Sequence, residues 1–428
     1  SSSSAASDVY KRQIMFRLSK TLLNTFVPWN KQLIKQPVIT NANGIFIFNN
    51  KQKIVDFTSG QMAVNLGHNN KYILEGFNNH INKGISYVSP TVFTTDEREI
   101  LCKRLIDYTM KEGKVMLTNG GADSNEFSIF ISRIYSQKIG ENKTKILSFK
   151  TSYHGGSTIG SSLISGDSRL NAQRSYNKLS LEPIMDNPSL LDEGESSLQQ
   201  VEDLFKKNNI CAILIEGSSG SAGCHIYPDN YMNKLEKLCR KYNILIICDE
   251  VMSGWGRTGI LFAHKKYNLN PDIITTAKGI TSGYVPLGAT MVSKKISDLF
   301  NDDPIMYGLT YSGNILSCTI ANRCLDLYEK NNFEIIKDSR QKIIILESIC
   351  KKILEDYSFI TDYRNNGLLG CFEFESEELV NKITENLLNN GVYCMKMRKN
   401  IFMAPPLIIS NHDLIQTMNK MEEVFKEV

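Results

Sequence analysis

The sequence predicts an α/β protein, in which a large domain with a mostly parallel, doubly wound sheet is joined by a small α+β domain fed from both ends of the chain. Three observations predict it. From about Val115 to Ser293, short β-rich runs alternate with helical patterns, the rhythm of parallel strands joined by helices. A hairpin signal precedes this region, and a long helical pattern followed by short strands comes after it. The third observation is size and composition: 428 residues, 42% apolar and 22% charged, suffice for two or three domain cores and do not describe a disordered chain.

Taken in order, Ser1 to Ile14 opens with four serines and shares no periodicity with the rest of the chain, so it reads as a non-native or untranslated leader with Met15 as the start. Its Ser/Ala content with Lys11 and Arg12 leaves a targeting peptide as the alternative. Residues 15–85 are assigned to the small domain. There Gly44 to Phe48 and Ile54 to Phe57 flank an Asn-Asn-Lys-Gln turn and read as a hairpin. Residues 86–325 form the large domain, with strands expected at Val115–Leu117, Ile146–Phe149, Ala212–Glu216, Ile244–Cys248, Ile273–Thr276 and Ala289–Val292, and a helix at Tyr231–Tyr242. Residues 326–428 return to the small domain. Strands at Leu368–Phe374 and around Phe402 are separated there by the amphipathic Leu379–Leu388.

Several functional classes are disfavoured. The formal net charge is only +4 and the lysines are scattered among acids, so no nucleic-acid footprint is expected. No apolar run approaches the roughly 20 residues that span a bilayer, and a soluble, cytoplasmic protein is expected. Ten cysteines include no Cys-x-x-Cys pair, and Cys211 and Cys248 lie within apolar strands. The six histidines lack His-Glu-x-x-His spacing, so no metal site is expected.

The chemistry concentrates at the ends of the predicted strands. Asp249-Glu250-Val251 follows one apolar run, and Thr275-Thr276-Ala277-Lys278-Gly279 lies at the end of another, which places a carboxylate and an amine at two strand ends, where ligands of open α/β sheets bind. Pyridoxal phosphate needs both: a lysine to hold it as a Schiff base and an acid against its ring nitrogen. Asn119-Gly120-Gly121-Ala122-Asp123-Ser124-Asn125-Glu126 follows a strand and opens a helix, with Asp123 and Glu126 at capping-box spacing and backbone amides able to receive an anion. No Gly-Lys-Ser/Thr comes after it, so it is not a nucleotide P-loop. Tyr153 in Ser152-Tyr153-His154-Gly155-Gly156 could stack on a planar cofactor or pack on the core. His154 either orients this turn or touches the cofactor; Glu250 could be a solvated neighbour of Asp249.

Together, and in this order, these segments resemble the class III pyridoxal-phosphate aminotransferases of fold type I. The resemblance extends over nearly all of the chain after Trp29. It includes Asn65-Leu66-Gly67-His68, Gly254 with Gly256-Arg257-Thr258-Gly259, Gly308-Leu309-Thr310-Tyr311-Ser312-Gly313 and Pro405-Pro406-Leu407. Asn119-Gly120-Gly121-Ala122 and Tyr87-Val88-Ser89-Pro90 look most like the taurine:pyruvate and ω-amino acid:pyruvate branch. The resemblance implies that Lys278 forms the Schiff base, that Asp249 partners the pyridine nitrogen, and that Val251 and Tyr153 sandwich the ring with His154 beside it. It further implies that Gly121 and Ala122 donate amides to the phosphate, that Thr310 reaches it from the other subunit of a homodimer or dimer of dimers, and that Glu216 lines the pocket. Trp29, Met62, Tyr87 and Arg398 are implied substrate-binding positions, with Arg398 for the substrate carboxylate. The chain departs from the family pattern at Ala122, usually a hydroxyl residue, at Asn314-Ile315, usually His-Pro, and at Gln61-Met62, where amine-accepting relatives often carry tryptophan.

The implied activity is transfer of an amino group from an ω-amino acid, taurine-like or related amine to a 2-oxo acid, with pyruvate as acceptor, by a ping-pong route through pyridoxamine phosphate. A PLP-dependent aminomutase or decarboxylating transaminase of the same fold is the alternative. A non-catalytic nucleotide-binding protein is a third reading, opposed by the intact Lys278 and Asp249.

Overall fold

The computed structural model describes residues 37–156, 184–220 and 223–428; the serine-rich leader and Trp29 lie outside them. The expected hairpin is part of an antiparallel meander of β1 (Ile39–Asn43), β2 (Phe46–Asn49) and β3 (Lys53–Asp56), with Phe46 opposite Val55. Its turn has a local cause: the Asn49 side chain accepts the Lys51 and Gln52 amides at 2.8 and 2.9 Å. Two helices come next. α1 (Lys71–Lys83) is capped by the Asn70 side chain and stopped by left-handed Gly84, and α2 (Asp96–Thr109) carries three acids in its first turn.

The large sheet contains β4 (Gly113–Thr118), β5 (Lys145–Phe149), β6 (Ile184–Met185), β7 (Ile210–Glu216), β8 (Leu245–Asp249), β9 (Ile273–Thr276) and β10 (Gly288–Ser293), in the spatial order β4-β10-β9-β8-β7-β5-β6. Helices α3 (Gly121–Lys138), α4 (Glu195–Lys207) and α5 (Tyr231–Lys241) fall between its strands. Every residue of β7 and β8 is buried, because layers cover both faces of a central parallel strand; hence their unbroken apolar runs. The strands from β6 to β9 pair in parallel. β10 does not, running antiparallel to both β9 and β4. Only residues 277–287 connect β9 to β10, and they carry no long helix; a parallel crossover usually needs one.

After the sheet comes α6 (Ile315–Asp356), whose helical course is interrupted from Lys330 to Phe333. The remaining elements are β11 (Ile360–Asn365), β12 (Gly370–Phe374), α7 (Glu377–Asn389), β13 (Val392–Tyr393), β14 (Lys396–Met397), β15 (Asn400–Met403) and α8 (Asn411–Lys426). Four of these strands make an antiparallel sheet in the order β11-β12-β15-β14. The short β13 instead pairs parallel with β3, Val392 against Val55, so the C-terminal segment completes the N-terminal meander. One apolar cluster runs from Val55 and Phe57 through Ile274 to Leu407 and Phe425, welding these parts to the face of the large sheet.

Candidate active site

Adjacent strands β7, β8 and β9 end together, with Glu216 in register with Asp249 and Asp249 with Thr275. Lys278 comes directly after β9, so the carboxylates and the amine emerge along one sheet edge around a cavity of about 170 Å³. The far wall of the cavity is the N-terminus of α3. Gly121, Ala122, Tyr153, His154, Glu216, Asp249, Val251 and Lys278, positions that the resemblance implies for the cofactor, all line it.

Asp249 is buried and held by three donors. His154 Nδ1 lies 2.8 Å from Oδ2, Asn125 Nδ2 donates to the same oxygen at 2.8 Å, and the Val251 amide donates to Oδ1 at 3.0 Å. Because a carboxylate only accepts, the hydrogen on His154 Nδ1 points to Asp249, so this histidine orients the acid while its ring also lines the cavity. Asn125 is itself pinned. Its Oδ1 accepts the Thr275 hydroxyl at 2.7 Å and its Nδ2 also reaches the His154 carbonyl at 2.9 Å. Sequence reasoning passed over Asn125, although it stands four residues after Gly121, one helical turn away on the same face.

Glu216 uses both oxygens on backbone amides, Tyr153 at 3.0 Å and Gly220 at 2.9 Å, tying two loops to the end of β7. Burial pushes its carboxyl up to about 7, against the opposing pull of His154. Lys278 keeps some surface toward the cavity it lines but is otherwise enclosed by protein. That desolvation pushes its amine below the usual lysine range, although Asp249 and Glu216 pull the other way. Its backbone is left-handed, with φ 48°, a strained conformation for a residue bearing a side chain.

Glu250 is fully buried rather than solvated. The ring Nδ1 and backbone amide of His264 lie 2.9 and 2.7 Å from its Oε1, and Ser253 donates to its other oxygen. With Cys248 these side chains bring three possible metal ligands within 4.8 Å, but the hydrogen bonds already satisfy the carboxylate.

The start of α3 differs from the expected capping box. Gly120 is the N-cap and makes no side-chain cap, while Asp123 falls inside the first turn. The first amides of the helix therefore face the cavity at Gly121 and Ala122 and can take an anion. A Cβ on Gly121 would sit 2.8 Å from the Val251 side chain, so glycine is what lets the helix end close on that residue. Pyridoxal phosphate fits this donor set, in which the Gly121 and Ala122 amides could take its phosphate, Asp249 its ring nitrogen and Lys278 its aldehyde.

The substrate-side positions are less convergent. Met62 is buried in a sulfur-rich cluster with Cys224, Cys371 and Phe402, and Met252, packed against that cluster, is the residue that reaches the cavity wall. Tyr87 is exposed, its ring edge-on to Tyr311 at 6.4 Å. Thr310 is exposed, and Arg398 is exposed in the turn between β14 and β15; neither lines the cavity of the single chain.

A family model described as Aminotransferase class-III matches residues 28–425. The ornithine aminotransferase of Plasmodium yoelii yoelii is 30% identical over 386 residues, 88% of each chain. The gamma aminobutyrate transaminase 2 of Solanum lycopersicum is 30% identical over 422 residues, 91% of each chain. Among solved structures, a taurine:2-oxoglutarate aminotransferase from Bifidobacterium kashiwanohense, in complex with PLP and glutamate, superposes with a TM-score of 0.89 at 29% identity, over 96% of this chain and 97% of that one.

Proposed function

The chain belongs to the class III aminotransferases and uses pyridoxal phosphate, and from that premise we propose that it moves an amino group from an ω-amino acid, taurine-like or related amine to pyruvate. The observation that carries the reading is the meeting of Lys278, Asp249 and the open end of α3 around one cavity. Support for the donor class comes from the relatives, whose names specify ornithine, gamma aminobutyrate and taurine, all with an amine remote from or lacking an α-carboxylate. A second acceptor, 2-oxoglutarate, is favoured by the taurine enzyme, which is named for it and holds glutamate.

Bound in the cavity, the cofactor supplies an aldehyde to receive the amino group and a conjugated ring to delocalise the electron pair left when the substrate C–H bond breaks. Asp249, kept in place by Asn125 and His154, would hold a proton at the ring nitrogen. Lys278, whose amine burial holds below the usual lysine range, would be the base that takes the proton from the substrate carbon. Tyr153 and Val251, which line the cavity, would hold the two faces of the ring, and the Gly121 and Ala122 amides would hold the phosphate.

The assembly is a homodimer in this reading. Exposed Tyr87, Val92, Phe93, Met306 and Tyr311 lie on segments that Arg98 binds together through the carbonyls of Val88, Phe93 and Gly313. A second copy covering them would bring its own Thr310 to the phosphate.

Borohydride reduction and peptide mapping test the cofactor site: the phosphopyridoxyl group is expected on Lys278, and its appearance on another lysine overturns the assignment. A panel of taurine, β-alanine, 4-aminobutyrate and diamines against pyruvate and 2-oxoglutarate tests the substrates. Carbon dioxide release, or an isomerised amine without an oxo product, would move the reaction to the decarboxylating or aminomutase class.

A further inference from the structure

Arg257 is a fully buried arginine whose hydrogen-bond partners are all neutral. Its guanidinium donates to the Pro405 carbonyl at 2.6 Å, the Leu368 carbonyl at 3.1 Å, Asn65 Oδ1 at 2.6 Å and Ser59 Oγ at 3.3 Å, and its Nε has no partner. A charge sealed away from water is ordinarily paired with an opposite one. Asp56 acts on this guanidinium through space, as does the Tyr328 hydroxyl, but the Asp56 oxygens are taken by the Gly60 amide at 2.7 and 2.8 Å and by His68. Even so, burial pushes Arg257 only down to about 10, and it remains a cation at neutral pH.

That cation is linked to the lysine turn through Asn65. Asn65, which accepts from Arg257, donates to the Trp255 carbonyl at 3.1 Å. A Cβ on Gly279 would lie 2.7 Å from Asn65 Nδ2 and 2.8 Å from Trp255 Cβ, so both pack flush against the residue after Lys278. Trp255 Nε1 also donates to the Thr276 hydroxyl at 2.8 Å, and Tyr328 donates to the Gly279 carbonyl at 2.9 Å. The left-handed backbone of Lys278 is thus clamped on both sides.

We propose that Arg257 is a positioning residue for Lys278, a buried cation with no directly bonded anion that disfavours a positive charge on the neighbouring amine while Asn65 and Trp255 fix the turn that aims it. The charged groups facing Lys278 are Asp249 and Glu216, which favour its protonation, and Arg257, which opposes them. Two carboxylates beside an amine favour its ammonium form, a poor base and no nucleophile, and the Arg257 cation adds to burial in opposing them. Arginine suits this role because it keeps its charge in a site where a lysine would give up its proton.

This inference rests on the proposed role of Lys278, and the experiment separates the two. The visible absorption of the bound cofactor reports the proton on Lys278 Nζ and is titrated from pH 5 to 10 in the full-length protein, in Arg257→Met, in Arg257→Gln and in Asn65→Ala. Folding is checked by circular dichroism. Loss of the cation is expected to raise the midpoint so that proton affinity increases about threefold or more in both arginine variants. In Asn65→Ala, which loosens the clamp but keeps the charge, the midpoint stays within about twofold while the melting temperature falls. An unmoved midpoint in a folded Arg257 variant, or an equal shift in Asn65→Ala, overturns the proposal. So does failure of both arginine variants to fold while Asn65→Ala folds, which would make Arg257 purely architectural. A protein with no visible band on Lys278 would instead overturn the functional reading.

Discussion

Replacing Asp249 by asparagine changes one atom and separates electrostatics from architecture. The carboxylate accepts three hydrogen bonds, from His154 Nδ1, Asn125 Nδ2 and the Val251 amide. If the asparagine carbonyl keeps the Val251 amide, its NH2 group turns toward His154 and Asn125. The histidine can adapt by moving its hydrogen to the other ring nitrogen. Asn125 cannot flip, because the Thr275 hydroxyl holds its Oδ1 and the His154 carbonyl holds its Nδ2. One donor is therefore left facing a donor, at a cost of about 1–3 kcal/mol of stability. The chemical effect is larger: a neutral amide no longer holds a proton at the ring nitrogen, and losses of this kind are about 10²–10³ in rate. The half-reaction with amine, followed under single-turnover conditions by the cofactor's visible absorbance, should slow by that factor while cofactor affinity, set mainly by the phosphate site, changes little. A rate within threefold of the parent would refute the assignment; cofactor loss with unchanged chemistry would reassign Asp249 to binding.

Three further outcomes are expected. Between about pH 4.5 and 7 the folded chain keeps a proton on Glu216 that the unfolded chain has released, so this group makes stability fall as pH rises through that window, by at most about 3 kcal/mol; denaturant titrations should show a flatter pH dependence in Glu216→Gln, and an unchanged slope would mean that Glu216 ionises normally. Mixing Lys278→Ala with Thr310→Ala chains should restore part of the activity, because one site of each hybrid dimer carries both lesions and the other neither; a fully active monomer contradicts this. Arg398→Ala should weaken the return half-reaction with pyruvate by about 2–5 kcal/mol in kcat/KM if its guanidinium pairs with the carboxylate, and unchanged pyruvate kinetics would leave Arg398 as a surface turn.

How much of the molecule was legible in the sequence depends on how far each signal acts along the chain. The strand ends were legible because burial on both faces writes an uninterrupted apolar run, as in Ile210–Glu216 and Leu245–Asp249, and the functional side chain stands at or just after the end of that run. Hence Lys278 and Asp249 could be placed together from the sequence alone, while Glu216 entered the pocket only through the family resemblance. The direction of β10 was not legible, since a run such as Ala289–Val292 reads the same whichever way it pairs; only the short link from β9 decides it. The same limit applies to single polar residues. Nothing local marks Asn125 as the partner of Asp249, 124 positions away, or distinguishes Glu250, sealed against His264, from an exposed acid. Arg257 is the sharpest case: nothing local marks it, and only the convergence of the Leu368 and Pro405 carbonyls, the Asn65 side-chain oxygen and the Ser59 hydroxyl shows it to be a charge enclosed by the core. Long-range polar contacts of this kind carry no periodicity, so it is at the level of charge placement around Lys278 that the structure adds most to what the sequence says about the chemistry.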